Sequence, residues 1–124
     1  MAQVTHWAPM KAGAAIGARK ICQITGNNQA AQAVAASLDL VGVSGSRAVA
    51  ANDTVEVALS GIAEVELGGN VAAGAWVTAD ANGDAVATTG DDAGVVGICI
   101  VGGADGDIGE VLIAPGTFSG AGDD

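Results

Sequence analysis

From Thr54 onward the chain alternates apolar and polar positions. In Thr54-Val55-Glu56-Val57-Ala58-Leu59 and again in Ile62-Ala63-Glu64-Val65-Glu66-Leu67, every second residue is apolar and several of the residues between are glutamates. That period of two predicts strands with one face buried and one face wet. Ser60-Gly61 between them reads either as a tight turn or as a bulge in one continuous strand. Trp76 to Ala79 and Ala85 to Thr88 flank Asp80-Ala81-Asn82-Gly83-Asp84, and Asn-Gly between apolar runs predicts a hairpin. Val95 to Val101 and Ile108 to Ala114 read as two further strands, separated by the acidic, Gly-rich segment Gly102 to Asp107. Upstream, Leu38 to Val43 and Lys20 to Thr25 read as strands, the latter closed by the turn-forming Gly26-Asn27-Asn28. Gln29 to Ala36 is rich in alanine, with Asn27 or Asn28 as a candidate N-cap, and reads as a short helix.

Seven or eight short strands with closely spaced turns predict an all-β domain, a small Gly/Val-rich β-barrel or β-sandwich. The expected organisation is an N-terminal arm over 1–19, where no period is visible, a β domain over 20–116, and a C-terminal tail over 117–124.

Composition sharpens this picture in two respects. The 124 residues suit one domain, and 50% of them are hydrophobic while only 2% are aromatic and none is tyrosine. The core is therefore expected to be built of small and branched side chains. Charge is divided: 1–38 hold Lys11, Arg19 and Lys20 and no acid, whereas 39–124 hold Arg47 against all 14 carboxylates, so +3 and −13 sum to the net −10. So negative a chain repels phosphate backbones, which argues against a nucleic-acid partner. The basic N-terminal segment is the part suited to docking on an acidic protein surface. No apolar run is long enough to span a bilayer, and Arg19-Lys20 stand where the cleavage region of an export signal would fall; a soluble protein made in the cytoplasm is expected. Cys22 and Cys99 lie in apolar strand-like segments and read as buried free thiols, a disulfide between them being the alternative.

Catalytic chemistry finds few candidates. His6, in the expected arm, is the chain's one imidazole. Ser44 in Gly42-Val43-Ser44-Gly45-Ser46 lacks the second glycine of a nucleophile elbow. Gly103 to Gly109 matches no phosphate-binding loop. Asp80 to Asp84 with Asp91 imitates an EF-hand frame, but Ala85 replaces the glycine that such a loop needs. Asp105, Asp107 and Glu110 read as a solvated acidic loop, and one His with two Cys makes no zinc site. The expectation is no enzyme, no cofactor, no metal and no small-molecule substrate. The two tryptophans stand out among small side chains. Trp7 reads as an anchor into a partner, or as a lid folded over its own core. Trp76, at the start of a strand, reads as core filling, with a subunit contact as the alternative.

Asn52 to Val65, with Val71-Ala72-Ala73-Gly74-Ala75-Trp76-Val77-Thr78 continuing through Asp80 to Val86, resembles the capsid cement, or head decoration, proteins of tailed phages. Leu40-Val41-Gly42-Val43 resembles the same family's L-V-G-V-A strand. The segment Lys20 to Ser37 is longer and richer in Ala and Gln than that pattern, and Asn52 replaces an expected glycine. The resemblance implies a homotrimer on the outer capsid surface, at three-fold and quasi-three-fold sites, bridging subunits of the major capsid protein. Trp7, Lys11, Arg19 and Lys20 are then the candidate capsid contacts. Competing expectations are another virion role, a head-fibre base or tail component, and a carbohydrate-binding module, the last disfavoured by the scarcity of aromatic platforms.

Overall fold

The computed structural model describes residues 3–35, 39–88 and 93–118. Nine strands form among the described residues: β1 (Gln3–Ala12), β2 (Ile21–Gly26), β3 (Gln29–Gln32), β4 (Leu40–Ser44), β5 (Thr54–Glu66), β6 (Trp76–Ala79), β7 (Ala85–Ala87), β8 (Ala93–Val101) and β9 (Ile108–Phe118). The chain is all-β, and no helix occurs among the described residues. All nine strands share one sheet in the order β1-β3-β2-β4-β5-β9-β8-β6-β7, with a further pairing between β1 and β5. That extra pairing returns the first five strands on themselves. Beyond β5 the sheet runs to β7, where Ala85 meets Leu67 just past β5 through an isolated bridge and no continuous ladder, so the whole is not a closed barrel.

Two apolar clusters follow from this topology. Met10, Ala12, Ile16, Cys22, Ala30, Val49, Val55 and Val57 fill the space among the N-terminal strands. A larger cluster, including Ile21, Val43, Ala58, Ala63, Val65, Leu67, Val77, Val96, Cys99 and Val111, lies against β8, β9 and the hairpin β6–β7. Adjacent residues on β2 (Ile21, Cys22) and β5 (Val57, Ala58) fall in different clusters, so these strands form a wall buried on both sides. The core is made of Ala, Val, Ile and Leu with a few larger or polar exceptions, as the composition requires.

β5 is continuous through Ser60-Gly61, so the bulge and not the turn is realised. Gly61 has φ +92° and a Cβ there would stand 2.3 Å from the Gln3 carbonyl oxygen; only glycine meets both conditions. The bulge shifts the alternation. Before it Ala58 faces the larger cluster, and after it Ala63 and Val65 do.

The N-terminal arm is corrected. Gln3–Ala12 is strand β1, paired along β5 from Gln3↔Ile62 to Lys11↔Thr54. Register shifts between Val4 and His6 and between His6 and Trp7 break the period of two, which is why no pattern shows in the sequence. Pro9 sits where β1 pairs with β5 only, β3 meeting β1 at Lys11 and Ala12, so its missing N–H costs no ladder bond on the open side. The short helix is also corrected: Gln29–Gln32 is β3, joined to β2 through Asn28 at φ 51°. A few isolated residues make a marginal helix, whereas β2 offers a ladder. The Asn-Gly hairpin is present as β6 and β7. β9 runs to Phe118, past the expected domain end at 116, and residues 119–124 of the expected tail lie outside the described residues, as does Asp91.

Candidate functional site

Trp7 stands on β1 opposite Ala58 and is 42% exposed. Its ring approaches the backbone at Gly45, where even a Cβ would already be at 3.6 Å from the indole. The ring forms a wall between two clefts. The larger, of about 390 Å³, is lined by Trp7, Gly45, Ser46, Arg47, Val49 and Glu56. The smaller, of about 180 Å³, adds Val4, Arg19, Ala63 and Glu64. An exposed indole with a guanidinium in reach on either side suits a protein partner that offers an apolar side chain and a carboxylate.

The loop before β2 and the end of β4 hold this region in place. Arg19 adopts φ 56°; its N–H donates to the Gly45 carbonyl at 2.8 Å and its carbonyl accepts from the Glu66 N–H at 3.0 Å. The Ser44 hydroxyl donates to the Gly17 carbonyl at 2.8 Å and accepts from the Lys20 N–H at 2.9 Å. Ser44 is buried, so its oxygen ties two segments together and is not offered to a substrate.

The four sequence-derived contact candidates separate. Trp7 and Arg19 share the smaller cleft, with Arg19 Nε 3.3 Å from Glu64 Oε1. Lys11 is exposed near the end of β1, about 14 Å along the strand from Trp7 at ~3.4 Å per residue. Lys20 is withdrawn: its ammonium donates to Glu66 Oε1 at 3.1 Å and to Asp84 Oδ1. Burial tends to lower the Lys20 pKa, but the hydrogen bonds and charges of Asp84 and Glu66 outweigh it and raise the pKa above its usual value. Lys20 thus pins the β6–β7 hairpin to β5. The basic segment is in large part neutralised inside the molecule. Arg47, which the sequence reading passed over, makes no ion pair among the described residues and lines the larger cleft beside Trp7.

The remaining chemistry is structural. Cys22 and Cys99 are free and buried in different clusters. Burial pushes the Cys22 thiol up to about 12, against the opposing effect of a hydrogen bond with Ser44, and burial also raises Cys99. Asp80 Oδ1 accepts the N–H groups of Asn82 at 2.8 Å and Asp84 at 3.0 Å, closing the hairpin turn. Asp107 Oδ2 accepts from the Ala104 N–H at 2.9 Å. No cluster of three or more potential metal-binding side chains occurs among the described residues.

Trp76 overturns its core assignment. It is 39% exposed, because Val77 and Ala79 take the inward positions of β6 and the alternation leaves Trp76 on the outer face.

A protein-family model described as phage cement protein matches residues 3–114. A solved structure, the head fiber gp8.5 N base of bacteriophage phi29, shares the fold with a TM-score of 0.68 at 18% identity, over 92% of this chain and 98% of that one. No curated protein sequence matches the chain.

Proposed function

The chain belongs to the phage cement protein family and is a capsid-associated structural protein of the virion, and from that premise we propose that it acts as a homotrimer on the outer surface of the icosahedral head. Made in the host cytoplasm, it binds at three-fold and quasi-three-fold sites and bridges subunits of the major capsid protein, without catalysis. The observation that carries this reading is Trp7: a large side chain held open on a paired strand, between two clefts carrying Arg19 and Arg47. Three such sites in one trimer bind together, so modest single contacts multiply into high avidity.

The test uses heads of the parent phage that lack this protein. Added protein is expected to saturate at a multiple of three copies per local site by sedimentation, and to raise the temperature at which the heads open. Absence of binding to mature heads contradicts the proposal. The fold likeness to a head-fibre base supports a second reading, in which the domain seats a fibre. Binding that leaves the opening temperature unchanged would favour that reading over cement.

A further inference from the structure

The outer face of the sheet over β5, β9, β8 and β6 carries an apolar row that crosses four strands in register. Trp76 on β6 pairs with Ile98 on β8, Ile98 with Leu112 on β9, and Leu112 with Ile62 on β5. Cross-strand partners project from the same face of a sheet, so the four side chains form one contiguous ladder. Trp76 and Leu112 are 39% and 40% exposed, and Ile62 and Ile98 are half-buried. Ile100, Val101 and Ile108, also exposed, extend the surface beside it. Single exposed apolar residues are ordinary, but a contiguous patch marks an interaction site.

We propose that this ladder is the surface through which copies of the chain associate with one another, distinct from the Trp7 clefts. The inference rests on the trimeric reading above and names its surface. Charge selects the occupant. Each copy carries −10, so most faces of two copies repel; the ladder holds no ionisable group and meets its counterpart without setting acid against acid. The adjoining row is acidic, Glu64 opposite Glu110, but Glu64 is held by Arg19. At about 4.8 Å between strands and about 6.8 Å for the two residues between same-face positions, the four-residue row across β5, β9, β8 and β6 covers on the order of 130 Å². A stable interface takes roughly 800 Å² from each partner. The ladder supplies about a sixth of that, as the apolar centre of a contact with a polar rim.

Sedimentation velocity of the full chain tests it, with Leu112→Glu and Trp7→Phe beside the wild type. The expected result is an oligomer for the wild type and Trp7→Phe, and self-association weakened at least about tenfold in Leu112→Glu. In Trp7→Phe the remaining indole is Trp76, and its emission should shift to the red as dilution dissociates the oligomer, a readout independent of whether Leu112→Glu folds. An unshifted Trp76 emission across dissociation overturns the ladder while leaving the oligomer in place. A wild type that stays monomeric at high micromolar concentration overturns the inference outright, and its binding to heads, measured separately, then decides whether the cement reading survives.

Discussion

The two tryptophans are exposed to nearly the same extent, 42% for Trp7 and 39% for Trp76, yet they stand in opposite surroundings. Trp7 lies between clefts that hold Arg19, Arg47, Glu56 and Glu64. Trp76 lies in a row of Ile and Leu with no charge in it. Exposure alone therefore does not say what a tryptophan is for; the neighbours that the sheet register assigns to it do. A polar rim around an indole selects a particular partner, whereas an uncharged ladder on a strongly acidic chain suits a copy of itself.

The comparison can be broken most sharply at Trp7. Trp7→Ala is expected to leave the oligomer intact and to reduce head binding at least about a hundredfold, because the loss recurs in every subunit of a multivalent contact. Titration of heads by sedimentation checks it, and Arg47→Glu should produce a smaller loss in the same assay. If instead Trp7→Ala dissociates the oligomer, the two faces do not divide the work.

Gly61→Ala addresses the bulge that separates the two halves of β5. With φ at +92° and the Gln3 carbonyl oxygen 2.3 Å from an added Cβ, β1 and β5 cannot keep their register. A loss of at least roughly 1–3 kcal/mol in denaturant unfolding is expected.

The smallest effect concerns Lys20. Its pKa is raised in the folded state, so its ion pairs contribute fully below the ordinary lysine value and are lost as pH rises through the raised one. Cys22, neutral when buried, adds a loss between about 8.5 for a free thiol and about 12 in the fold. Lys20→Gln should lower the melting temperature by a few degrees near neutral pH and converge on the wild type at strongly alkaline pH. Head binding should be unchanged, since the ammonium faces Glu66 and Asp84.

The β6–β7 hairpin is legible because Asn-Gly acts locally, and so are the alternation in β5 and the apolar runs of β8 and β9. The ladder is not, because each of its contacts depends on which strands become neighbours. Trp76 could have been placed from the parity of Val77 and Ala79, but its size suggested burial, and a core of Ala and Val has no room for it. The withdrawal of Lys20 was hidden in partners 46 and 64 residues away. The expected arm rests on missing periodicity, which two register shifts in the β1–β5 pairing produce, one with its extra residue in β1 and one with it in β5.

The division between the two faces is tested most directly by hydroxyl-radical footprinting of both tryptophans, in the free protein and on heads, with mass spectrometry locating the oxidation. The account predicts that Trp76 is already protected in the free protein at concentrations where it is oligomeric, and that Trp7 becomes protected only on binding to heads. A Trp7 that oxidises equally fast on heads and in solution would contradict it.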